Sequence, residues 1–302
     1  MPRITRITNP PKHHLFGFHD LVAWNRADTR MLALEVDSID HPPAPGEKAG
    51  YGFVSESGDY VRIGDTAAFN FPQGSRLQWL GESERFSVND RVGDRWGARI
   101  IDADTGKQIS ELPHPVHCLD AESKYAFFPN YSRLYRLGGY GYPGIKDPTE
   151  SEAIPSDDGV FRLDMRSGAA ELLASIQDVA NCRAIGTPDR GVHHYVTHFL
   201  LAPGSLRLAF LHRYRLRDGG EMTRLMTVGT DGSGLRCLLQ GSLSHFEWVD
   251  ENALIIWGMA SRAVSAVRSS PLLRIPLVRT GARAAKGVLR SLLASSPNIR
   301  PS

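Results

Sequence analysis

Two histidines in this 302-residue chain, His198 in THFLLAPGS and His245 in SHFEWVDEN, each stand immediately before an apolar strand-like run. Imidazole ligates Mn, Fe, Zn or Ni. Equivalent histidines lining one channel would therefore suit a divalent, Mn-like metal. Two ligands are too few, and His19, Asp20 and Gln73, at comparable places in earlier segments, are the candidates to complete the set. The same histidines could instead be hydrogen-bonded structural groups tying neighbouring segments together.

A second group follows the other apolar runs: His212, Arg213 and Arg215 in LHRYR, Asp90 and Arg91 in VNDR, Asn130 and Arg133 in NYSR. A guanidinium fork matches a carboxylate in two-point contact, so one level of such residues would suit an acidic sugar. Salt bridging, for instance Asp90 with a neighbouring arginine, would use the same side chains for stability. The loop GGYGYPG sets Tyr140 and Tyr142 among four glycines. Aromatic faces and phenol hydroxyls serve sugars, and glycine lets backbone approach closely; loop packing is the alternative use. No GxSxG, HExxH, P-loop or kinase signature occurs, and Cys118, Cys182 and Cys237 form no CxxC pair. Serine hydrolase, zincin and NTPase classes fall away.

The elements that must position these residues repeat. Five segments combine an apolar run, a polar turn and a second apolar run, with starts at 22, 77, 116, 198 and 245. Each predicts an antiparallel hairpin, because Asp, Asn, Gly and Ser at the turn interrupt alternating apolar residues. ARIIDADTGKQISEL, GVFRLDMRSGAAELL and RLMTVGTDGSGLRCLL supply a second strand pair. Four strands per unit, at spacings mostly near a propeller period of roughly 40–50 residues, predict an all-β propeller of about five blade units, incomplete in the ring sense that the fifth has only its first hairpin. The alternating RITRIT at Arg3–Thr8 reads as a closing strand, and a short helix is expected near Ser175–Cys182.

With 41% hydrophobic and 23% charged residues, the chain can bury a core, and 29 glycines and 19 prolines favour short strands over a helical bundle. Residues 252–302 carry eight Arg or Lys and no acid, leaving residues 1–251 at −6. That body disfavours specific nucleic-acid binding, and weak binding to an anionic surface would rest on the tail, where residues 281–295 predict a basic helix. The expected division is a propeller over 1–260 and a basic, partly helical tail or interrupted insertion over 261–302. Neither a secretory leader nor a transmembrane segment is read, so a cytoplasmic location is expected.

The stretches ITNPPKHHLFGFHD with LALEVD, QGSRLQWLG with VNDR, SRLYRLGGYGYPG with DDGVFRLD, THFLLAPGSLRLAFLHR and SHFEW resemble a family of bacterial WD40-like, TolB-type β-propellers, itself distantly similar to the oligogalacturonate lyases. The resemblance covers most of residues 4–258, and implies further blades beyond SHFEW that this sequence does not show. It implies a metal of the kind above at the channel mouth, held by His198, His245, Gln73, His19 and Asp20, acidifying the proton α to a uronate carboxylate for β-elimination. Arg213, His212 and Arg91 would then be catalytic, and Arg133, Asn130, Tyr140, Tyr142 and Asp90 would bind the acidic oligosaccharide. The competing class is a non-catalytic scaffold whose partner is an unidentified protein.

Overall fold

The computed structural model describes residues 6–182, 191–215 and 220–259. Blade 1 is β1 (His13–Leu15), β2 (Arg30–Val36), β3 (Ala49–Ser55) and β4 (Tyr60–Thr66); blade 2 is β5 (Gln78–Trp79), β6 (Arg85–Val92), β7 (Arg95–Asp102) and β8 (Gln108–Leu112). In blade 3, β9 (Cys118–Leu119) and β10 (Tyr125–Phe128) are followed by helix α1 (Tyr131–Gly138), then by β11 (Gly159–Asp164) and β12 (Ala170–Ser175). Helix α2 (Ile176–Asn181) leads to blade 4, made of β13 (His194–Leu201), β14 (Arg207–Arg215), β15 (Glu221–Gly229) and the first part of β16 (Arg236–Trp248). Strands pair antiparallel in chain order within every sheet. β16 runs on to pair with β17 (Leu254–Met259), which gives the predicted fifth start its first hairpin and makes the last sheet five-stranded.

The blades stack face to face, which is why inner strands read as continuous apolar runs. Leu32, Leu34 and Phe53 of blade 1 pack on Phe69, Leu77 and Phe86 at blade 2. Ala98, Ile100 and Leu112 of blade 2 meet Ala126, Phe128 and Leu163 of blade 3. Phe127 and Val160 of blade 3 meet Phe199, Phe210 and Met226 of blade 4, whose other face covers Leu243 and Phe246. Full burial of one such side chain contributes about 1.5–3 kcal/mol. β17 is different: Ile255, Trp257 and Met259 are exposed, because no further blade stacks on it among the described residues.

Four-stranded blades and the short helix before blade 4 agree with the sequence reading. Two details do not. Helix α1 was not anticipated, and it forms because Asn130 caps it, accepting from Ser132 and Arg133 N–H, while Gly139 ends it in the left-handed region. In RITRIT, Arg6–Thr8 form no strand and Arg3–Thr5 lie outside the described residues; the first strand is β1, paired with β2. Beside the strands of blade 3, the 82-residue gap between the third and fourth starts holds α1, the long segment after it and α2. The basic tail and its helix over 281–295 lie outside the described residues. No helix among the described residues is long and apolar enough to cross a membrane.

Candidate axial site

Five rings from separate parts of the chain meet, with His198 inside β13 and His245 inside β16. Phe18 lies with its ring centroid 4.3 Å from His19, 5.5 Å from His198 and 6.2 Å from His245. His19 and His245 are 5.1 Å apart, and Tyr140 meets His198 edge-on at 5.3 Å. The segment between β1 and β2 turns at Gly17, whose φ of +109° suits glycine. His198 has a φ of +56° at a β-bulge between Thr197 and Leu200, and His245 sits at the bulge between Leu243 and Phe246. Bulges re-aim side chains. Each histidine shares a hydrogen bond through Nδ1 with the preceding hydroxyl, Thr197 at 3.0 Å and Ser244 at 2.9 Å. Burial, with Arg213 nearby, lowers His198 to about 3, so its imidazole is neutral at pH 7.

Adjacent to these rings lies a buried ion pair. Arg76 donates to both oxygens of Asp20 at 2.9 and 2.8 Å, and its Nε donates to the His117 carbonyl at 2.9 Å. Burial opposes charge on Asp20, but Arg76 outweighs it and holds the carboxyl at about 2. Leu80, Ala202 and Val249 close the hairpins of their units through N–H bonds to Arg85, Arg207 and Ala253. Counting back four residues from each gives Arg76, His198 and His245, so Arg76 occupies the histidine position of blade 2. His117 Nε2 accepts from Phe199 N–H at 3.2 Å, which leaves its proton on Nδ1 to donate to Tyr131 Oη at 2.9 Å. Burial first, and Arg76 next, keep His117 neutral.

These contacts decide how the proposed metal set fits. Both Asp20 oxygens are taken by a guanidinium, Phe18 packs against all three of the candidate histidines, and Gln73 is fully buried with neither amide atom hydrogen-bonded. Among the described residues no three His, Cys, Asp or Glu side chains come together as a metal would require. His19, His198 and His245 are brought together as a ring cluster, and the donor set does not fit a metal.

The remaining candidates scatter. Arg213 pairs with Glu221 at 3.4 Å and its charge acts on His198, while its Nε is buried and without a partner. His212 is fully buried, its Nε2 2.9 Å from His194 Nδ1. Arg91 is exposed and bonds its own hairpin at the Gly93 carbonyl. Asp90 pairs with Arg99 at 2.8 Å and accepts from Ala67 N–H, tying blade 2 to the end of β4. Asn130 is the helix cap, and Arg133 is buried among the carbonyls of His194, Thr149, Glu152 and Ala153. Tyr140 reaches the ring cluster. Tyr142 is fully buried, stacked 4.3 Å from Tyr131, and burial pushes its phenol to about 12.

Sequence reasoning missed Arg76, Phe18 and His117. Aligning QGSRLQWL on VTHFLLA places Arg76, whereas Phe18 and His117 gave no repeat signal. The glycines of GGYGYPG were legible: a methyl on Gly141 would fall on the Tyr131 carbonyl oxygen. Gly141→Ala is expected to cost about 1–3 kcal/mol by overpacking, read as a lower thermal midpoint with perturbed tyrosine near-UV signals; an unchanged midpoint contradicts the packing.

No family model matches the chain, and no curated protein matches it. Solved structures of propeller type resemble it at low identity. TolB from Acinetobacter baumannii is 10% identical, with a TM-score of 0.43 over 73% of this chain and 43% of its own. A protein from Lactobacillus plantarum is 14% identical, with a TM-score of 0.37 over 77% of this chain and 65% of its own. The periplasmic gluconolactonase PpgL of Pseudomonas aeruginosa is 10% identical, with a TM-score of 0.36 over 77% of this chain and 76% of its own. This chain therefore spans less than half the length of TolB. The propeller assignment rests on the stacked four-stranded sheets themselves.

Proposed function

We propose that the ring cluster is the binding mouth of a carbohydrate-binding propeller, and that its ligand is an acidic saccharide. The observation that carries this reading is the convergence of Phe18, His19, Tyr140, His198 and His245 beside Arg213. Aromatic and imidazole faces pack against the C–H faces of a sugar ring, and Arg213, whose charge acts on His198, would supply the cation for a uronate carboxylate. The resemblance to oligogalacturonate lyases suggests the same ligand class.

Binding is supported further than elimination. A group at about 3 is a weak base at neutral pH, and the described residues supply no third metal ligand to acidify the α proton. Calorimetry with oligogalacturonate is expected to show binding that neutral oligosaccharides do not reproduce at this mouth. Arg213→Ala is expected to weaken it by roughly 10–100-fold, the value of a charge-assisted hydrogen bond. Formation of unsaturated uronate ends would restore the lyase reading, and equal binding by wild type and Arg213→Ala would sink the site.

A further inference from the structure

A crevice of about 620 Å³ lies between blades 2 and 3, apart from the axial mouth. One wall is the β6–β7 hairpin with Trp96; the other is formed by Asn130, Thr149 and Asp158, from the segment joining β10 to β11. Phe128 stacks on Phe161 at 5.2 Å and 14°, and His114 stacks on Phe128 at 5.2 Å and 22°, giving an aromatic ladder.

Two residues that line this crevice each carry a buried polar atom without a partner. Trp96 is 6% exposed and its Nε1 donates to no acceptor. Asp158 is 3% exposed; its Oδ2 accepts from Asn130 and Thr149, both at 2.8 Å, while Oδ1 accepts from nothing. Buried polar groups are normally hydrogen-bonded, so one orphaned donor and one orphaned acceptor in the same crevice point to a ligand that supplies both complements.

We infer that this crevice binds an uncharged, polyhydroxylated ring, a neutral mono- or disaccharide, with one hydroxyl donating to Asp158 Oδ1 and another accepting from Trp96 Nε1. Hydroxyls both donate and accept, which is what the two orphans demand. The aromatic ladder faces the C–H surface of the sugar. Charge excludes the other classes: Asp94, Glu152 and Asp157 line the crevice with Asp158, against Arg95 and Lys146 alone, so uronates and phosphates meet net repulsion. An ammonium ligand would satisfy Asp158 and leave the indole N–H facing a positive charge. The volume falls within the roughly 300–1,000 Å³ of small-molecule sites.

The test titrates the full chain with a panel of neutral mono- and disaccharides by calorimetry and saturation-transfer NMR, with adenosine and guanosine as planar controls. At least one neutral sugar is expected to bind. Trp96→Phe removes the donor while keeping an aromatic ring beside Tyr142, which Trp96 meets edge-on at 5.3 Å. It is expected to weaken sugar binding roughly tenfold without changing the thermal midpoint by more than a few degrees. Asp158→Asn is expected to weaken it similarly, and Trp96→Phe should leave the oligogalacturonate titration of the axial mouth as it is. No binding by any neutral sugar, preference for a nucleoside, or binding that survives both substitutions would overturn the assignment. Loss of uronate binding alone, in Arg213→Ala, would leave it standing.

Discussion

Acidification below pH 6.5 is expected to destabilise this protein, by a limiting slope of about 1.4 kcal/mol per pH unit for each imidazole that stays neutral in the folded chain. The cause is three histidines held neutral by burial. His117 and His212 are fully buried and lowered well below the ordinary imidazole value, and His198 is lowered to about 3. Each is neutral in the folded chain and takes a proton in the unfolded chain below pH 6.5. The unfolded state therefore binds more protons, and stability present above pH 6.5 is lost as pH falls, down to about 3 for His198. The two fully buried histidines and His198 act in the same direction, so their contributions add. Asp158, raised by burial, offsets part of one share in the range just above the ordinary carboxylate value. Urea titrations at pH 7.5, 6.5, 5.5 and 4.5 measure the slope. His117→Gln, which can still accept from Phe199 N–H, should flatten it. Stability that stays level down to pH 5 would show that these imidazoles are not buried as described.

Arg76→Ala is expected to cost about 3–5 kcal/mol, because it leaves the Asp20 carboxylate buried with no guanidinium. The pair is 1% and 8% exposed at its side chains, and it joins the entry to blade 1 with blade 2 and, through the His117 carbonyl, with blade 3. The double variant Asp20→Leu with Arg76→Met is expected to recover most of that loss, since buried ion pairs replaced by apolar groups are often near neutral. The His117 carbonyl keeps one donor in the double variant, Gln78 Nε2 at 3.2 Å. Chemical denaturation of the three proteins separates these outcomes. A cost below about 1 kcal/mol for Arg76→Ala would mean that the carboxylate reaches water.

Much of the architecture was legible because it depends on local patterning. NRADTR, GESE, DAESK, APGSLR and VDENA set turns that nearby apolar residues must flank, and the two-residue side-chain period then specifies which face is buried. His198 and His245 were recognisable as equivalent for the same reason: each precedes an aromatic residue at the start of a repeated strand. GGYGYPG announced close backbone approach, which Gly141 makes against the Tyr131 carbonyl. Helix α1 was missed because NYSRLYRLGG is short and carries tyrosines and arginines on faces that only the channel and the blade 4 side define. Arg133, read from sequence as a cation for a carboxylate, is instead spent on four backbone carbonyls that the long segment brings to it.

The sequence by itself determined four-strand units, their hairpins and the two bulge histidines, since strand alternation and turn chemistry act over a few residues. Tertiary structure decided the rest. Asp20 is 56 residues from Arg76, and Asp158 is far along the chain from Trp96, so neither the ion pair nor the crevice has a local signature. Whether a histidine becomes a ligand, a neutral packing group or part of a ring-lined mouth depends on desolvation and on which charges the stacked blades place beside it. Those terms belong to the assembled propeller and not to any one of its segments.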